Sequence, residues 1–225
     1  GWYSPLEKKV HMDMGSNTHE RALKNGLAGS WQTKFHEEGH QLDHILSSVE
    51  TIAGSDVKGY AFTSSKYPTG KKIQEAIENF LNEAVKYSNE KEGQSYKPVK
   101  GLGRITSDTR FAFTRYMVHL TSGGRDSVAS CQLGVLTDAI GLYTKDRLGR
   151  NQLGFGWGHD SSYNKQTGTN GSASETWATF CALRVCGSKE EIAVMKKVMP
   201  ETWDCLNKIY HDVAVYLENH ELEYR

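Results

Sequence analysis

The sequence predicts an α+β fold that is mainly helical, with a small N-terminal sheet and one helix that carries the chemistry. Three observations support this. Val10 to Met14 alternates large and polar residues at period two, the pattern of a short strand with an exposed edge. The other regular stretches repeat apolar residues at helical spacing. One of these stretches holds His36-Glu37-Glu38-Gly39-His40, an H-E-x-x-H run.

Taken in order, the strand is followed by a polar, glycine-bearing stretch to Gly29. Ser30 is placed to cap a helix from Trp31 to about Ile52, with Trp31, Phe35, Leu42, Ile45, Leu46 and Val49 as its apolar stripe and Gly54 as its stop. Ser55 to Gly70 reads as a loop. Lys71 to Tyr87 is helical by the spacing of Ile73, Ile77, Phe80, Leu81 and Ala84, and a charged connector runs from Ser88 to Gly103. Helices are expected near Ser107 to Leu120 and Ser127 to Tyr143. Lys145 to Gly171 is a long glycine-rich loop, and loops of that length usually carry function. The chain closes with helices at about Ser172 to Cys186, Lys189 to Val198 and Glu201 to Glu221.

With 225 residues the chain is long enough for one domain with its own core, and residues 1–225 are read as a single domain. Because it begins at Gly1, it is expected to be a domain excised from a longer protein. The 27 basic residues balance the 27 acidic ones, which removes the usual electrostatic footprint of a nucleic-acid partner. No apolar run is long enough for a bilayer and the first residues do not have the order of a signal peptide, so no membrane partner and a cytoplasmic location are expected. Cys131, Cys181, Cys186 and Cys205 contain no C-x-x-C pair and are expected to be reduced and buried.

The H-E-x-x-H run is the strongest signal. Residues four apart lie on one helical face, so the imidazoles of His36 and His40 can reach a common cation. Glu37 stands about 100° round the helix, close enough to act on a water beside that cation without ligating it. The competing reading is a solvated helix face. Gly39, small and between the two histidines, is expected to ease the approach of a ligand or substrate. A catalytic zinc needs a third protein ligand and an open position. The metzincin third histidine would fall at position 46, which is Leu46. Asp43 is expected to orient the outer nitrogen of His40, with direct ligation as the alternative, and His44 to be a partly exposed helix residue. Glu175 can bring a carboxylate from a distant helix, and on the residues alone it is equally a first-turn acid complementing a helix dipole.

In these residues the chain resembles the gluzincin group of zinc metallopeptidases. It is more closely similar to the metallopeptidase-like domain of phage and prophage minor head (head morphogenesis) proteins. The pieces that carry the resemblance are the strand at Val10 to Met14, His36 to Asp43 (H-E-x-G-H-x-x-D), Leu136 to Ile140 around Asp138, Gly158-His159-x-x-x-Tyr163, and Ser174-Glu175-x-x-Ala178, in that order. The resemblance implies a zincin-like fold and one Zn²⁺ held by His36, His40 and Glu175. It also implies Glu37 as general base, and His159 or Tyr163 steadying the negative charge that develops on the substrate oxygen. Asp138 either hydrogen-bonds a histidine or caps a turn. The chain departs from the thermolysin-like pattern at Thr179, where that pattern has an aspartate.

The function so implied is zinc-dependent hydrolysis of peptide bonds in a peptide or protein substrate. The alternative is a non-catalytic capsid assembly or interaction module with a zinc site, whose partners would be phage head proteins and whose location would be the virion. A prophage-borne processing protease shares the chemistry and differs only in target.

Overall fold

Ile73, Ile77, Phe80, Leu81, Ala84 and Val85 recur at helical spacing, and in the computed structural model they form the buried face of a helix. The structure describes residues 2–4, 7, 9–11, 28–46, 71–121, 140–141, 143–144, 148, 152–153, 168–187 and 189–219. In chain order the elements are strands β1 (Trp2–Ser4) and β2 (Lys9–His11), then helices α1 (Ala28–Leu46), α2 (Lys71–Glu92), α3 (Ser107–Thr121), α4 (Gly168–Cys186), α5 (Lys189–Val198) and α6 (Pro200–Asn219). The described residues are mainly helical, as expected.

β1 and β2 pair antiparallel, with Trp2 opposite His11, Tyr3 opposite Val10 and Ser4 opposite Lys9, and both strands lie against α1. The expected strand thus begins at Lys9, and positions 12–14 lie outside the described residues. Its partner β1 was not anticipated, because three residues are too few to show a period.

Several helix boundaries differ from the expectation. α1 starts at Ala28, so Ser30 is inside the helix and is not its cap. α2 continues past Tyr87 to Glu92 and stops at Gly93, whose φ of 68° is the left-handed conformation that ends helices at little cost to glycine. α4 starts at Gly168, so the last four residues assigned to the long loop are helical. Pro200 opens α6, where its missing N–H leaves no bond unmade. Of the helix expected over Ser127 to Tyr143, positions 140, 141 and 143 are described and helical, and the earlier part lies outside the described residues.

The connector between α2 and α3 is held by two asparagines that imitate a pairing strand. The Asn82 side chain accepts from Val99 N–H at 2.7 Å and donates to Val99 C=O at 3.3 Å. Asn89 does the same for Tyr96, at 2.8 and 2.9 Å. Thr106 Oγ1 accepts from Thr109 N–H at 3.2 Å and caps α3. Gln152 ties this connector to residue 144, accepting from Ile105 N–H at 2.7 Å and donating to the carbonyls of Leu102 and Thr144.

The core lies between α2 and α3 and continues through α5 to α4 and α6. Its largest fully buried side chains are Trp177, Phe113 and Phe180, and Phe180 meets Trp203 edge to face at 4.9 Å. α1 packs on α4 more extensively than any other described pair of elements. No described helix is long and apolar enough to cross a membrane.

Candidate metal centre

Among the described side chains of α1, the most completely buried ones lie on a face that carries polar groups. His36, Gly39 and Asp43 are buried at helical spacing, whereas Phe35 and Leu42 of the expected apolar stripe are only half-buried. Buried polar groups are tolerated where partners meet them. Here the partners come from α4, which presents Ser174 and Glu175 to this face. The side chains of Trp31, Ile45 and Leu46, also in that stripe, lie outside the described residues, as does Val49.

Gly39 makes this meeting of helices close. A Cβ at this position would lie 2.9 Å from Ala178 Cα and 3.1 Å from Cys181 Cβ. The Trp177 indole N–H crosses the same gap to donate to Gly39 C=O at 3.1 Å. Gly39 is therefore buried under α4, and the expectation that it eases substrate approach is corrected: its missing side chain admits a helix. The crossing sets how far Glu175 stands from the two histidines.

Three donors converge there. His36 Nε2 is 3.0 Å from Glu175 Oε2 and 3.2 Å from His40 Nε2, and His40 Nε2 is 3.4 Å from Glu175 Oε1. The rings are nearly perpendicular, at 88°, with centroids 4.8 Å apart. One donor atom from each of the three residues falls within a 4.8 Å cluster. Zinc bound tetrahedrally at roughly 2.0–2.1 Å from nitrogen and oxygen sets its donors about 3.3 Å apart along each tetrahedron edge. The 3.2 Å between the two imidazole nitrogens fits that edge, the two histidines meet different oxygens of the Glu175 carboxylate, and two imidazoles with a carboxylate are a donor set zinc accepts. The three side chains are 9%, 14% and 1% exposed in the order His36, His40, Glu175, so the donors are shielded from competing water. The described residues thus contain a cluster able to hold a metal ion.

Behind the donors stands a hydrogen-bonded chain. His40 Nδ1 is 3.1 Å from Ser174 Oγ, and Ser174 donates to Asp43 Oδ2 at 3.3 Å. Asp43 thus reaches His40 through a hydroxyl, which refines the expectation that it orients the histidine. The carboxyl of Asp43 is fully buried, and burial pushes its pKa up to about 7, against the opposing pull of His40 and the Ser174 hydrogen bond. For His40, burial disfavours charge, but Glu175 first and then Glu37 and Asp43 outweigh it, and the pKa is raised above 6.5. Cys181 lies beneath Gly39, and burial, helped by the charge of Asp43, raises its thiol well above the ordinary value.

The structure therefore brings His36, His40 and Glu175 together and puts Asp43 behind them. Glu37 is half-buried on α1 and near enough for its charge to act on His40. Glu175 sits two turns into α4, too far from the helix start for the dipole role left open by the sequence. Thr179 is fully buried one turn further on. His159, Tyr163 and Asp138 lie outside the described residues, as does the side chain of His44. Ser174 was missed as a functional residue: it stands next to Glu175, but its partners are 131 and 134 residues away. Two cavities, of about 360 and 440 Å³, lie elsewhere, beside α2, and are not lined by these residues. No family model, curated protein or solved structure gives a significant match to this chain.

Proposed function

We propose that this chain is a zincin-like, zinc-dependent metallopeptidase domain of the phage head-protein type, binding one Zn²⁺ at His36, His40 and Glu175. The observation that carries the reading is the convergence of two histidines and a buried carboxylate at separations of 3.0, 3.2 and 3.4 Å. Glu37 beside the first ligand supports a hydrolytic role, because a structural zinc site has no use for a free carboxylate at that position. When bound, zinc in a three-donor site makes a water acidic and polarises a carbonyl. Glu37 takes the proton of the attacking water and passes it to the leaving amine. His159 or Tyr163 donates a hydrogen bond to the substrate oxygen as charge develops there. The peptide or protein substrate, the roles of His159 and Tyr163, the phage setting and the virion location rest on the motif order alone.

The test is elemental analysis with peptide cleavage. Wild-type protein is expected to hold one zinc per chain, and His36→Ala and Glu175→Ala to lose it. Glu37→Gln should keep the zinc and lose cleavage of a mixed peptide library. Zinc retained in Glu175→Ala removes the third ligand. Cleavage at the wild-type rate by zinc-loaded Glu37→Gln overturns the catalytic assignment. No cleavage by zinc-loaded wild type favours the non-catalytic assembly module, which shares the ligands and has no role for Glu37.

A further inference from the structure

We propose that Ser174 is a positioning residue: its hydroxyl, anchored on Asp43, sets the tautomer and ring plane of His40 so that Nε2 faces the cation. This rests on the zinc reading above and adds to it a residue and a direction for each proton. A serine hydroxyl carries one proton and accepts through its lone pairs. That proton is committed to Asp43 Oδ2, at 3.3 Å. The 3.1 Å contact with His40 Nδ1 then requires the ring to donate. With its proton on Nδ1, the imidazole keeps the Nε2 lone pair, which points towards Glu175 Oε1 at 3.4 Å and His36 Nε2 at 3.2 Å.

Ser174 and Asp43 are 6% and 0% exposed, so water does not compete for these bonds. The two histidines are unequal in this respect. Nδ1 of His36 is buried with no hydrogen-bond partner among the described residues. Loss of the Ser174 hydroxyl therefore acts on His40 and leaves His36 as it was. The same turn of α4 supplies one ligand, Glu175, and the group that aims a ligand of α1. This is the task an aspartate one turn after the ligand glutamate performs in the thermolysin-like pattern, and here the hydroxyl and Asp43 take it over while position 179 is threonine.

The experiment compares wild type, Ser174→Ala and Ser174→Thr by competitive zinc titration, with nitrogen NMR of the histidine rings. Ser174→Ala is expected to bind zinc about 10–100-fold more weakly, the usual cost of losing a group that orients a ligand. Its circular dichroism should match wild type and its melting in chelator should fall modestly, because Asp43 and His40 lose a buried partner, and Ser174→Thr, which keeps the hydroxyl, should recover both the melting and most of the affinity. In zinc-loaded wild type the His40 proton should reside on Nδ1 and exchange slowly; in Ser174→Ala it should exchange fast while the His36 signals stay in place. Wild-type affinity in Ser174→Ala, or His40 bound to zinc through Nδ1, overturns the proposal. A wild-type protein that takes up no zinc overturns the zinc reading and this proposal with it, whereas the first two results leave the zinc reading intact. Should Ser174→Ala not fold, the wild-type NMR spectrum decides.

Discussion

Replacing Gly39 with alanine adds one methyl group where α1 and α4 cross. The new Cβ would stand 2.9 Å from Ala178 Cα and 3.1 Å from Cys181 Cβ. Carbon atoms in contact prefer about 3.5–4.0 Å, so the helices must part by roughly 0.5–1 Å. The obstacle is backbone, which no rotamer change removes. Overpacking of this kind costs about 1–3 kcal/mol, offset by the roughly 0.8–1.0 kcal/mol that alanine gains over glycine in a helix. The net loss of metal-free stability is thus about 0–2 kcal/mol. The effect on the metal is larger, because Glu175 comes from α4 and the histidines from α1, and zinc distances tolerate only about 0.2 Å. Zinc affinity is expected to fall at least about tenfold, or 1.4 kcal/mol. Urea unfolding in chelator reads the first quantity and competitive zinc titration the second. Unchanged zinc affinity in a folded Gly39→Ala protein would refute the reasoning that this crossing sets the ligand spacing.

Three further outcomes are expected. In chelator, stability should fall as pH rises from about 6 to 8. His40, with its folded pKa raised, contributes stability present below 6.5 and lost as pH passes the folded value; Asp43, raised from 3.8 to about 7, adds a cost that grows over that interval. Protons compete with zinc for His40, so the rise in melting temperature on adding zinc should increase over the same range, and melting scans at pH 6, 7 and 8 with and without zinc check both signs. Burial raises the thiols of Cys186 and Cys205 to about 11, and Cys181 lies deeper still, so in a Cys131→Ser protein all three should react with a thiol reagent at pH 8 about tenfold or more slowly than free cysteine until urea is added. Phe113→Ala, at a fully buried site between α2 and α3, should cost about 3–5 kcal/mol in urea unfolding while zinc affinity changes little, since no ligand stands on those helices.

Much of this molecule is local in origin. The helices at Lys71, Ser107 and Lys189 are legible because a buried apolar stripe writes its period into neighbouring residues, as Ile73, Ile77, Phe80 and Ala84 do. His36, Glu37 and His40 are legible for the same reason, since helix geometry alone puts residues four apart on one face. What the sequence determined by itself is therefore one helix face with two histidines and a neighbouring glutamate, and the helices around it. It did not foresee that, among the described side chains of α1, His36, Gly39 and Asp43 are buried while Phe35 and Leu42 are only half-buried. Burial of a polar face depends on partners elsewhere in the chain, and periodicity carries no record of them. The motif order already pointed to Glu175, which residue spacing alone left open, and the structure brings it to the two histidines; tertiary structure alone decided that Ser174 links His40 to Asp43 and that Gly39 serves a helix crossing. Each of these joins α1 to α4 across more than 130 residues, and only the packing of the two helices against each other brings those side chains within bonding distance.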